Sequence, residues 1–298
     1  MPTPTPHLTL NNGVEMPALG LGVYQCGPDE TVEAVRTALD EGYRLIDTAA
    51  AYQNEEQVGR GLRESDVDRS EVFVTTKLWI SDYGSDEALH AYDRSLDRLG
   101  LDSVDLYLLH QPMPRQFERT VAAWRAAAQL LDEGRVRAIG VCNFSAALLD
   151  VLVDRTDVVP AVNQVEVHPY FTQEALRNRH EQLGIVTQAW SPIGGVMRYW
   201  DDDPEASRDP LRDPVIVEIA ETHEKTAAQV MLRWHLEHGH SAIPKSVHEG
   251  RIAENFDVFD FTLTDEETEA IDALDTGRRG GPDPERIDTE TISREVED

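Results

Sequence analysis

From residue 17 onward, short runs of apolar and β-branched residues alternate with longer stretches in which apolar positions recur every three to four residues. The short runs are ALGLG (18–22), YRLID (43–47), VFVTTK (72–77), VDLYLLH (104–110), VRAIGV (136–141), AVNQVEV (161–167), GIVTQAW (184–190) and SAIPK (241–245). They predict eight strands. Five of them, the second to fifth and the seventh, are nearly continuous in apolar residues, as when both faces of a parallel sheet are covered. Between them, DETVEAVRTALDEG, NEEQVGRGLRES, SDEALHAYDRSLDRLG, RTVAAWRAAAQLLDEG and TAAQVMLRWHLEHG carry helical spacing, several with an N-cap residue before and a glycine after. Eight such units in about 250 residues predict a (β/α)8 TIM barrel rather than a doubly wound sheet. Asn12-Gly13, set between two β-like runs, predicts an N-terminal hairpin ahead of the barrel. Extra helices are expected after strand seven, beyond a long loop over 191–211, and after the eighth unit, at 264–275. No linker divides the chain, so residues 1–276 read as one barrel domain and 277–298 as an acidic tail whose composition fits disorder.

Composition narrows the function. The 298 residues hold 56 acidic against 27 basic side chains, a net charge of −29, and every basic residue except Lys77, Lys225 and Lys245 is arginine. Such a surface repels nucleic-acid backbones and anionic membranes. Excess carboxylate with almost no lysine suits concentrated salt, where screening shortens self-repulsion to a few ångström. Two cysteines, Cys26 and Cys142, are too few for a disulfide framework and suggest a reducing compartment. The N-terminus lacks the basic and apolar regions of a signal peptide, and no run approaches a membrane span, so a cytoplasmic protein is expected.

In a TIM barrel, chemistry gathers at the C-terminal ends of the strands. Asp47 closes the second run, Lys77 the third and His110 the fourth, and Tyr52 follows Asp47 by five residues. Singly, each has an ordinary alternative: an N-cap, a solvated strand end, a core histidine, a surface aromatic. Together they form a constellation, the more so because Lys77 persists where lysine is otherwise nearly absent.

The chain resembles the aldo-keto reductase superfamily almost end to end. The resemblance is carried by DTAxxYxNExxVG, VTTKLW, YLLHQP, GVCNF, NQVEVHP, AWSPIGG and IPKSVxxxRIAENF, in that order, and the closing GRRGGPDPE is similar to microbial 2,5-diketo-gluconate reductase-like members. It implies an NADP(H)-dependent reduction of aldehydes, ketones, keto-sugars or dicarbonyls, with Tyr52 as proton donor. A phenol's pKa of about 10 would be lowered by the Lys77 ammonium, itself held by Asp47, while His110 positions the carbonyl.

No complete GxGxxG and no P-loop occurs, so the cofactor would lie across the barrel mouth. The resemblance assigns Asn143 and Gln164 to the nicotinamide carboxamide and Trp190 to its ring. Ser191, Ile193 and Gly194 fall to the pyrophosphate, Lys245, Ser246 and Arg251 to the 2′-phosphate, and Glu254 and Asn255 to the adenine. Lys245 and Arg251 would also supply the positive island that a multiply anionic ligand needs on so acidic a chain. Cys142 replaces a frequent serine and His248 a frequent hydroxyl residue. Tyr24, Trp79 and Gln111 match substrate-pocket positions, and Tyr199 and Trp200 in the long loop either cover the site or pack. His235, His238 and His240 lie close together but lack carboxylate or cysteine partners in metal-ligand spacing, so no metal is expected. The expected partner is a small carbonyl substrate, with no nucleic acid or membrane, and a monomer is expected rather than an oligomer. Two alternatives from other classes are an NADP(H)-binding regulatory subunit of an ion channel and a barrel metallohydrolase. The salt reading has a direct check: the melting temperature should rise with KCl from dilute buffer into the molar range, and a flat or falling series would leave the acidic composition unexplained.

Overall fold

A computed structural model describes residues 5–198, 209–292 and 296 of the chain. It opens with the expected hairpin, β1 (His7–Thr9) antiparallel to β2 (Glu15–Pro17), whose turn passes through Gly13 at φ 83°. The barrel follows as alternating strands and helices: β3 (Leu21–Gly22), α1 (Pro28–Glu41), β4 (Leu45–Asp47), α2 (Glu55–Glu64), β5 (Phe73–Leu78), α3 (Asp86–Leu99), β6 (Val104–Leu109) and α4 (Phe117–Asp132). It continues with β7 (Val136–Cys142), α5 (Ala146–Arg155), β8 (Val162–Glu166), α6 (Glu174–Leu183), β9 (Val186–Trp190), α7 (Pro214–Thr222), α8 (Ala227–Glu237), β10 (Ser241–Ala242), α9 (Glu249–Phe256) and α10 (Asp265–Asp272). Strands β3 to β10 pair in chain order, all parallel, and bridges from Leu19 to Ala242 and from Gly22 to Lys245 join the last strand to the first. Among the described residues, helices α7 and α10 are the two additions to eight units.

Alternation along each strand divides the core in two. One set of side chains, including Leu45, Phe73, Leu106, Leu108, Ala138 and Val162, fills the barrel interior together with Leu10 and Met16 of the hairpin segment. The other set packs outward against the helices, around Trp124, Trp234, Tyr43 and Tyr107. The hairpin stoppers the end opposite the site: Asn12 Nδ2 donates to the Arg137 carbonyl at 2.9 Å, and Asn11 Nδ2 to that of Pro160 at 3.0 Å. Helix ends follow local chemistry. Thr226 and Gln229 form a capping box on α8, Thr264 and Glu267 another on α10, and Gly42 closes α1 at φ 108°, with Phe256 where a side chain would go.

The stretch after Thr276 departs from the disorder that its composition suggests. Residues 277–292 lie against the barrel mouth, because a few well-placed groups anchor them. Gly280 and Gly281 bind the Glu166 carboxylate, Pro284 and Ile287 are buried, and Arg279 stacks on Phe171 at 4.9 Å. Tyr199, Trp200 and the rest of 199–208, within the 191–211 loop, lie outside the described residues. No helix among the described residues is long and apolar enough to cross a membrane.

The histidine triplet is engaged within the fold. His235 Nε2 contacts the Pro192 carbonyl at 3.0 Å, His240 faces the Arg177 guanidinium at 3.4 Å, and His238 meets Asp272 at 3.2 Å. Burial lowers His235 to about 3, and lowers His180, wedged between Asn163 and Thr187, to about 4. Both are therefore neutral in the folded protein, while the unfolded chain takes up protons below about pH 6.5. Stability is fully present above that value and falls as pH drops toward the folded-state pKa values, by up to about 1.4 kcal/mol per pH unit for each histidine. Urea unfolding in molar KCl at about pH 7 and about pH 5 measures the loss, and equal midpoints would contradict it.

Candidate active site

Register and alternation bring the candidates together. Asp47 lies beside Thr75, and Lys77 is two residues further along β5, beside Leu108 of β6. Leu45, Phe73 and Leu108 face the interior, so Asp47, Lys77 and His110, each an even step beyond them, face it too. Gln164, Gln188 and Trp190 follow by the same rule from Val162 and Val186. Tyr52 ends a short 3-10 turn, Ala50–Tyr52, immediately after β4.

Lys77 and Asp47 are fully buried and meet at 2.5 Å, and the ammonium also donates to the Thr48 carbonyl at 2.8 Å and reaches the Tyr52 hydroxyl at 3.3 Å. Burial alone would depress Lys77, but the Asp47 carboxylate outweighs it and leaves the ammonium more basic than usual. Burial likewise pushes Asp47 up, and Lys77 and Gln164 pull it back. With an ammonium in direct contact, the pair is ionised. Tyr52 does not follow the sequence expectation of a lowered pKa. Burial pushes it up to about 12, and Lys77 recovers only part of the shift, so the phenol holds its proton at neutral pH. Cys142, buried at the same level, is also raised by burial and stays a thiol.

The other predicted residues extend this cluster. The His110 ring stands 5.6 Å from that of Tyr52 and 5.1 Å from Trp79, and Tyr24 packs on Tyr52 at 5.0 Å. Asn143 donates to the His110 carbonyl at 3.2 Å and accepts from Trp190 Nε1 at 2.9 Å. Gln164 Nε2 is shared between Asp47, at 2.8 Å, and Gln188 Oε1, at 2.7 Å. Hydrogen bonds and ring contacts thus link Trp190, Asn143, His110, Tyr52, Lys77, Asp47 and Gln164 into one series. Gln111 is tied to Tyr83 through its backbone.

A second group flanks the mouth. Lys245 and Ser246 follow β10, and Arg251, Glu254 and Asn255 lie on α9. Among the described residues neither Lys245 nor Arg251 has a carboxylate partner, whereas Lys225 is pinned by Asp257 and Asp260 at 2.8 Å each. Ser246 Oγ accepts from the His248 amide, and Glu254 accepts from Thr226. Ser191 and Gly194 take left-handed backbone at φ 52° and 68°, with Ile193 packed on the core. Asn143 shares that conformation, at φ 64°. Non-glycine residues held there are costly and gather at ligand sites. Sequence reasoning missed Gln188, Thr48 and Glu166. The inward alternation of NQVEV and VTQAW carries the signal for Gln188 and Glu166, whereas Thr48 acts through its backbone and leaves none.

The sequence model of the Aldo/keto reductase family matches residues 18–276. The chain belongs to that family. It is 56% identical over 293 residues to morphine 6-dehydrogenase of Pseudomonas putida, covering 98% of this chain and 99% of that one. It is 46% identical to glyoxal reductase of Bacillus subtilis, over 93% of this chain and 96% of that one. The solved structure of a Bombyx mori aldo-keto reductase in complex with NADP is similar, at 37% identity and a TM-score of 0.87, covering 94% and 96% of the two chains.

Proposed function

We propose that this aldo-keto reductase is NADP(H)-dependent and reduces small aldehydes and ketones, with keto-sugars and dicarbonyls in range, using Tyr52 as the proton donor. The reading rests on one observation above the others: a protonated phenol lies 3.3 Å from an ammonium that a buried carboxylate keeps charged. Two relatives are named as a glyoxal reductase and a morphine 6-dehydrogenase, which differ in substrate.

Residues suited to the cofactor are present. Trp190 offers a half-buried ring edge-anchored by Asn143. Gln164 has its Nε2 committed to Asp47 and Gln188, which leaves Oε1 to accept from a carboxamide. Ser191, Ile193 and Gly194 suit the pyrophosphate, and Glu254 and Asn255 the adenine. Lys245 and Arg251, without carboxylate partners among the described residues, lie beside Ser246 and suit a 2′-phosphate. When bound, the nicotinamide supplies the hydride. His110, between Tyr52 and Trp79, orients the substrate carbonyl toward Tyr52. As the oxygen gains charge, Tyr52 gives it a proton, and the phenolate left behind is stabilised by Lys77. Asp47 never titrates in the cycle: it keeps Lys77 charged and aimed. Tyr24, Trp79 and Gln111 border the carbonyl. The protein is read as a cytoplasmic monomer.

Changing Tyr52→Phe removes one oxygen and keeps the ring, so NADPH affinity should hold within a few-fold while turnover falls by about 10²–10⁴. Stopped-flow turnover and fluorescence titration separate the two, and near-normal turnover would remove Tyr52 from the chemistry. The Arg251→Ala change deletes a charge-assisted contact worth on the order of 1.5–3 kcal/mol. NADPH should therefore weaken by about tenfold or more, with NADH nearly unchanged, and equal losses for the two cofactors would place the phosphate elsewhere.

A further inference from the structure

Glu166 has no part in the chemistry above, yet it is the next inward-facing residue after Gln164 on β8 and is fully buried. A buried carboxylate needs full compensation. Little of it comes from the barrel. His168 Nε2 contacts Oε1 at 3.0 Å, and the remaining partners belong to the C-terminal segment: the Gly280 amide at 2.6 Å, the Gly281 amide at 2.9 Å and the Arg279 guanidinium at 3.7 Å. Two successive peptide N–H groups closing on an anion form the kind of nest that elsewhere binds phosphate. Here the anion is the protein's own, and the nest is delivered by a segment more than a hundred residues away.

The same contact reaches the cofactor side of the mouth. Glu166 pairs in register with Trp190. A Cβ built on Gly281 would stand 2.6 Å from Trp190 Cη2 and 3.0 Å from Glu166 Oε2, so the glycine abuts the benzo end of the indole. Asn143 holds the same ring at its pyrrole end, through Nε1. The indole is thereby held at two points of its ring, and one of them exists only while the carboxylate grips the segment.

We infer that Glu166 is a positioning residue for the nicotinamide: it seats residues 279–281 against the barrel and, through Gly281, holds the Trp190 ring in place. The inference rests on the reading of Trp190 as the nicotinamide's stacking partner. Two full-length variants test it. Glu166→Gln replaces one carboxylate oxygen with an amide that opposes a peptide N–H, and Gly281→Ala keeps the carboxylate but crowds the ring. Tryptic cleavage after Arg278 and Arg279, followed by mass spectrometry without cofactor, should accelerate about tenfold in Glu166→Gln. In both variants NADPH should bind at least several-fold more weakly, while adenosine 2′,5′-bisphosphate, which lacks the nicotinamide, binds as in the wild type. A general loss of structure would weaken both ligands alike and overturn the inference, as would unchanged NADPH affinity in both variants or unchanged proteolysis in Glu166→Gln. A wild type that binds adenosine 2′,5′-bisphosphate but gains nothing from the nicotinamide would instead sink the role given to Trp190.

Discussion

The ion pair of Lys77 and Asp47 stands at the level where the barrel interior changes from hydrocarbon to polar groups, and the mouth is arranged around it. Removing two charges from water costs several kcal/mol each, a cost met only by close contact and by satisfying the remaining donors and acceptors. Here the ammonium has Asp47, the Thr48 carbonyl and the Tyr52 hydroxyl, and the second carboxylate oxygen has Gln164. Every one of these partners is placed by strand register or by the short turn after β4. A shift of one residue in β5 would turn Lys77 out of the barrel and leave Asp47 buried and unpaired. Correct pairing of β4 with β5 is therefore tied to the integrity of the site.

Much of this was legible in the chain because two periodicities do different work. Eight apolar runs and the capped helices between them mark the barrel, and the inward step of two along each run puts Asp47, Lys77, His110, Gln164 and Trp190 at one end. What escaped has physical reasons. Helix α6 buries only Leu176 and His180 of its ten residues, so its apolar stripe is too thin to read. The tail past Thr276 is polar in composition yet held by backbone amides and a stacked arginine, interactions that hydropathy does not weigh. The raised Tyr52 pKa is hidden because the ammonium is visible in sequence, as a lysine at a strand end, and the desolvation opposing it is not.

The charge distribution has two regimes. Across the surface, arginines meet the excess carboxylates in pairs such as Arg60–Glu64, Arg94–Asp82 and Arg155–Glu118, mostly exposed and individually weak. Within the barrel and at its rim, lysine does separate tasks: Lys77 is spent inside, Lys225 clamps Asp257 and Asp260, and Lys245 stays without a carboxylate partner among the described residues. Arginine satisfies the surface. The few lysines sit at defined points of the fold, so the scarcity of this residue sharpens the reading of where it remains.

The hairpin at the opposite end has a consequence for proton traffic. Below Lys77 the interior is filled by Leu45, Phe73, Leu106 and Leu108, with Leu10 and Met16 closing the floor. The polar series through Gln164 and Gln188 ends on Ser241 and the Met16 thioether, which relays no proton. On the proposed reading, a proton given up by Tyr52 finds no polar route back through the bottom of the barrel among the described residues. Its replacement would then come from bulk water through the mouth, the same opening that the proposed ligands use. In the proposed cycle, recharging the acid and exchanging the ligands would share that single doorway, so the donor would be loaded before substrate enters.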